Sequence, residues 1–159
     1  MLGQEYSNKK LKKLSNFDSI YVDSFKFYKI SNFNINHFLE DTNSLIIEYS
    51  TWCRGFKDRN SLVDSILKIN PKSKIYLLTS DLNTSIKVNI EYLKNNNLNY
   101  KVVFLDYNIY NKGNWGIKWV NFIRSIIPDV SSDFFKKVNA TRFIIKKDSN
   151  NNIIFKGLQ

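Results

Sequence analysis

The sequence predicts an α/β domain, a mixed β-sheet with parallel crossovers that is closed by a C-terminal antiparallel hairpin. Three observations predict it. Between Leu45 and Leu105, short β-prone runs alternate with segments of helical periodicity and spell βαβαβ. Ile75-Tyr76-Leu77-Leu78 is apolar at successive positions, as suits a strand covered on both faces. Near the end, Arg142-Phe143-Ile144-Ile145-Lys146 and Asn152-Ile153-Ile154-Phe155-Lys156 flank Lys147-Asp148-Ser149-Asn150-Asn151, whose Asp and Asn residues tolerate the left-handed conformations of a hairpin turn.

Taken in order, residues 1–19 form a basic arm carrying Lys9, Lys10, Lys12 and Lys13, without the apolar stretch of a secretory signal, and the domain runs over 20–159. From Ile20 to Ile30, Phe25, Phe27 and Ile30 alternate with polar residues in a strand-like way. An asparagine-rich loop and a short segment around His37 to Leu39 follow. Leu45 to Tyr49 is the first clear strand, and Leu62, Val63, Ile66, Leu67 and Ile69 then repeat at helical spacing until Pro71. Lys74 to Thr79 is the buried strand. Ile86, Ile90 and Leu93 mark a helix that ends in Asn95-Asn96-Asn97, and Tyr100 to Leu105 returns as a strand ending at Asp106. Trp115 to Ile127 is an amphipathic helix with Trp119, Val120 and Ile123 on one face, stopped by Pro128, and Phe134-Phe135 sit in a helical turn.

The chain has 159 residues, 43% of them hydrophobic, which supplies one core. Lys and Arg number 24 against 14 Asp and Glu, a net charge of +10 that favours acidic partners, nucleic acid or an anionic lipid surface. The lysines are scattered and none belongs to a nucleic-acid motif, so no specific nucleic-acid partner is expected. No apolar run approaches the roughly 18 to 20 residues of a membrane-spanning helix, so no transmembrane segment is expected. One cysteine and one histidine exclude an internal disulfide and a four-ligand zinc site, and no cofactor is implied.

Cys53 is therefore either a small buried hydrophobe or a reactive thiol in a polarised site. His37 reads as a partly exposed structural residue. Glu48 falls on the strand face opposite Ile47 and reads as solvated or salt-bridged. Asp81 and Asp106 end strands, where open α/β sheets place ligands, and serve equally well as caps or turn residues. Trp115 and Trp119, four apart on one helix face, are either core residues or an exposed docking patch.

The strand, the Thr51-Trp52-Cys53 corner and the helix after it resemble the active-site segment of the thioredoxin-like superfamily, in its TlpA-like extracytoplasmic branch. Trp52, Cys53 and Lys57 match the pattern Trp-Cys-x-x-Cys-Lys, and the resemblance continues through Ile75 to Asp81, Leu98 to Asp106 and the closing hairpin. It implies Cys53 as nucleophile, Arg54 and Lys57 as stabilisers of its thiolate, and a docking surface formed by Trp52, Phe56, Ala140 and Thr141. It further implies a protein partner or a small thiol such as glutathione, and a periplasmic setting. Four departures point to a degenerate member. Phe56 replaces the resolving cysteine, and Ala140 stands where the family has a cis-proline, a bond that costs a non-proline residue about 2.5 to 4 kcal/mol. Ile47 replaces a buried acid, and the family's last helix is absent. A site at a helix N-terminus beside Arg54, Lys57 and Arg59 still favours a thiolate able to form mixed disulfides. The alternative is a non-catalytic interaction module that binds through its basic or tryptophan-bearing surface.

Overall fold

The computed structural model describes residues 19–22, 25–48, 64–68, 70–79, 101–106, 108–135 and 142–158. The basic arm up to residue 18, the helix expected around Ile86 to Leu93, and the segments carrying Trp52, Cys53, Arg54, Phe56, Lys57, Ala140 and Thr141 lie outside them.

Seven strands form one mixed sheet: β1 (Ser19–Val22), β2 (Phe25–Ile30), β3 (Ser44–Glu48), β4 (Lys74–Thr79), β5 (Lys101–Leu105), β6 (Arg142–Lys147) and β7 (Ile153–Leu158). Their spatial order is β1-β2-β5-β4-β3-β6-β7. The four central strands β2, β5, β4 and β3 are parallel, β6 returns antiparallel to β3, and antiparallel pairs β1–β2 and β6–β7 close the two ends. Parallel crossovers and the terminal hairpin are thus as the sequence predicts. The segment from Ile20 to Ile30, which reads as one strand, is instead two antiparallel strands in which Val22 pairs with Phe25. The signal for that reversal is the change of phase at Asp23-Ser24, where the apolar alternation of Ile20 and Val22 gives way to that of Phe25 and Phe27.

Helices cover both faces. On one face, α1 (Ile35–Phe38) and α3 (Trp115–Ile126) pack against Ile46, Leu78, Val103, Leu105, Phe143 and Ile145. On the other lie Phe27, Leu77, Val102, Phe104, Ile47 and Ile144, with the short helical stretch α2 at residues 64–68 between β3 and β4. Helix α3 begins where the Asn114 side chain accepts the Ile117 N–H at 3.1 Å, a standard cap for one of the orphan donors of the first turn. Before it, Gly113 has φ +81°, and a Cβ there would stand 2.7 Å from Ile117 Cδ1, so glycine is required. The helix ends one residue earlier than its apolar pattern, because Ile127 precedes Pro128 and is forced into an extended conformation with φ −126° and ψ 90°.

Trp119 is only 4% exposed and meets Phe122 and Phe143 edge-on at 5.9 and 5.4 Å, so it belongs to the core and not to a docking patch. Phe38 of α1 makes similar contacts with Tyr76 and Tyr28 at 5.3 and 6.3 Å. These aromatic pairs lock both helices onto the sheet.

The β6–β7 turn is organised by Asp148, whose Oδ1 accepts the N–H groups of Asn150 and Asn152 at 2.9 and 2.8 Å. Asn151 supplies the left-handed residue, φ 66°. The Asn152 N–H, reinforced by that of Asn150, holds the Asp148 carboxyl below the usual carboxylate range. The folded state therefore binds this proton less readily than the unfolded chain does. The stabilisation is complete above the unfolded pKa of about 3.9 and disappears as pH falls through the lower folded value. Asp148→Asn should thus lower the melting temperature at pH 7, and the gap from wild type should narrow as the pH falls below the unfolded pKa of about 3.9, when both are followed by circular dichroism.

Candidate functional site

Because β2, β5, β4 and β3 run parallel, their carboxyl ends share one edge of the sheet, the edge at which open α/β sheets bind ligands. Antiparallel β6 starts at that same edge: Ile47 pairs with Ile144 and Ile46 with Ile145, so the end of β3 lies beside the beginning of β6. The chain leaves Glu48 towards Cys53, and it enters β6 at Arg142 directly after Ala140 and Thr141. Two stretches far apart in sequence thus attach to adjacent points of the frame.

Glu48 is 8% exposed, so of the solvated and salt-bridged roles the first is ruled out. It shares a face with Ile46, and β3 has a neighbour on each side, so the packing that buries Ile46 buries Glu48 too. Ile47 is fully buried on the opposite face.

Further along the edge, a polar cluster joins the ends of β2 and β5. Lys29 and Asp106 form an ion pair at 3.5 Å, with side chains 12% and 11% exposed. Asp106 also accepts the Asn108 N–H at 2.9 Å, while its own N–H donates to Ile30 O at 2.9 Å. Its carbonyl accepts the N–H groups of Ile109 and Tyr110 at 3.0 and 2.8 Å. Of the two roles open to it in the sequence, Asp106 takes that of a turn residue. Asn34 performs a similar service after β2: its side chain accepts from the Ser31 N–H at 2.8 Å and donates to Lys29 O at 2.9 Å.

The Tyr110 hydroxyl is the hub. It accepts the Asn32 N–H at 3.2 Å, lies 3.1 Å from Asn32 Oδ1 and is 2.9 Å from Ser125 Oγ. Ser125 spends its one proton on Phe122 O at 2.7 Å, so towards Tyr110 it can only accept. The single tyrosine proton is then shared between Asn32 and Ser125. This network fastens the loops after β2 and β5 to α3. The sequence gives no warning of it, because its members lie far apart along the chain and each is an ordinary loop or helix residue.

His37 is exposed and stands 3.6 Å from Glu40 on the surface, as a structural residue would. Among the described residues no group of three or more His, Cys, Asp or Glu side chains could hold a metal ion, and no helix is long and apolar enough to cross a membrane. Among the described residues the large exposed apolar side chains are Phe33 (83%), Ile109 and Ile117. Comparison with protein-family models, with curated proteins and with solved structures finds no match to this chain.

Removing the hub hydroxyl leaves the Asn32 N–H and the Ser125 oxygen without their partner. Tyr110→Phe should therefore cost about 1–2 kcal/mol in urea unfolding while the far-UV circular dichroism stays unchanged.

Proposed function

We propose that this chain is a degenerate thioredoxin-like domain of the TlpA-like type, with a single-cysteine thiol site at Cys53. The observation that supports this reading is the register of β3 with β6. It joins the strand that precedes the Trp52-Cys53 corner to the strand that follows Ala140-Thr141, within a sheet whose parallel centre and terminal hairpin suit such a fold.

In the proposed chemistry the Cys53 thiolate attacks one sulfur of a disulfide in a protein partner or in oxidised glutathione. A mixed disulfide forms, and the other sulfur departs as a thiolate that takes a proton from solvent. Phe56 holds the position of the resolving thiol, so a thiol from solution must attack next, releasing Cys53 and forming a new disulfide with the captured group. No net electrons are gained or lost by Cys53 over the cycle. Arg54 and Lys57 favour the thiolate, and Trp52, Phe56, Ala140 and Thr141 make the docking surface. Of the tryptophan-bearing surface invoked by a pure interaction module, Trp119 is already spent on the core.

Cys53 is the only thiol in the chain, so alkylation reports on it alone. Labelling of the folded protein across pH, with Cys53→Ser as blank, should give an apparent pKa well below the unperturbed value of about 8.5. Incubation with oxidised glutathione should add one glutathionyl group to the mass. Labelling that waits for denaturant would make Cys53 a core residue and overturn the redox reading.

A further inference from the structure

A second candidate site lies on the sheet face that carries Ile47, away from α1 and α3. Between β3, β6 and the α2 connection there is a cleft of about 380 Å³, at the small end of the range for ligand pockets. Its floor is apolar: Leu45 of β3, Ile144 of β6 and Ile66 of α2. Its wall is basic. Lys146 follows Ile144 on the same face of β6, and Lys156 of β7 pairs directly with Ile144, so the two lysines are diagonal cross-strand neighbours. Asn70 and Ser73 add amide and hydroxyl groups at the rim.

Two features separate this arrangement from ordinary surface lysines. Edge strands commonly carry lysine to discourage pairing with other chains, which accounts for Lys156 on β7. It does not account for Lys146, which is half-buried on β6, a strand flanked on both sides by β3 and β7. Moreover, among the described residues no acidic side chain lines the cleft and no carboxylate pairs with either lysine. Two like charges side by side over an apolar floor repel each other until an anion joins them.

We propose that this cleft binds a small free carboxylate with an apolar body. The carboxylate would sit between the Lys146 and Lys156 ammonium groups and the hydrocarbon part would cover Leu45, Ile66 and Ile144. The volume admits one short chain and excludes a two-chain lipid. This site is independent of the chemistry proposed for Cys53, and its test does not involve that thiol.

The probe is octanoate, titrated into the full-length protein and followed by ¹H–¹⁵N correlation spectra up to about 10 mM, a range that captures millimolar affinity. Saturable shifts confined to the amides around Leu45, Ile66, Ile144 and Lys146 are expected. Lys156→Glu, at an exposed position, should weaken binding at least tenfold, and Lys146→Gln should weaken it as well, both with unchanged melting temperatures. Octanamide, which keeps the chain and loses the charge, should bind at least tenfold more weakly than octanoate. Equal binding of the two probes, insensitivity to both lysine changes, or shifts that never saturate would each overturn the proposal.

Discussion

The placement of β3 is the constraint on which the rest of the fold depends. It is bonded on one side to parallel β4 and on the other to antiparallel β6, so it joins the parallel centre of the sheet to the hairpin that closes it. Its centre, Leu45-Ile46-Ile47, is apolar on both faces and could not choose a register by hydrophobicity alone, since a slip of one residue would exchange one isoleucine for another. The polar start supplies what the centre lacks. Asp41 Oδ1 accepts the Asn43 N–H at 2.8 Å and lies 3.2 Å from the Ser44 hydroxyl, and Asp41 O accepts the Ser44 N–H at 3.1 Å. Asn43 O in turn accepts the Lys74 N–H at 3.1 Å, which ties the first residues of β3 and β4 together. A slipped register would break the Lys74–Asn43 bond and carry the Lys74 ammonium away from the Asp41 carboxylate, 3.4 Å from it.

The carboxyl edge shows the opposite use of polar residues. At β2 and β5 the polar side chains at the ligand-binding edge are consumed internally: Asp106 by Lys29 and a backbone N–H, and Tyr110 by Asn32 and Ser125. A nearly buried ion pair gains little over apolar packing of equal volume, but loss of one partner strands the other charge. Such a pair therefore specifies how the loops after β2 and β5 sit on the sheet more than it adds stability. The Trp119 indole N–H is the counter-example within the core, for among the described residues it has no hydrogen-bond partner. Its ring contacts with Phe122 and Phe143 supply the packing that holds it there.

Much of this was legible in the sequence wherever a single element carries its own period. The continuous apolar run at Ile75 to Leu78, the apolar face of α3 and the Asp-Asn turn at Asp148 to Asn151 each announce themselves locally and recur in the structure. Relations between elements were not legible. The break at Asp23-Ser24 is the one local sign that Ile20 to Ile30 is two strands, and nothing in the crossover pattern states that β5 lies between β2 and β4. The burial of Glu48 is another such relation: it comes from β6, a strand almost a hundred positions away, and not from its neighbours in sequence. The Trp52-Cys53 corner lies outside the described residues, and the frame set by the register of β3 with β6 is a relation that no motif encodes.

That frame bears on what a site with one cysteine would do. A thiol of lowered pKa is a weaker nucleophile per thiolate and a better leaving group, so the basic neighbours Arg54, Lys57 and Arg59 act in two directions. On the proposed redox reading they would increase the fraction of Cys53 ready to attack at neutral pH and ease its later expulsion from the mixed disulfide. With Phe56 in place of an internal resolving thiol, that expulsion is the step that needs help, because the resolving thiol has to arrive from solution. The surrounding field assists the arrival, since a net charge of +10 draws in thiols and disulfides that carry carboxylates, glutathione among them. The same positive charge that looks unspecific in the composition thus selects, on this reading, for reversible exchange with small anionic thiols over lasting capture of a protein partner.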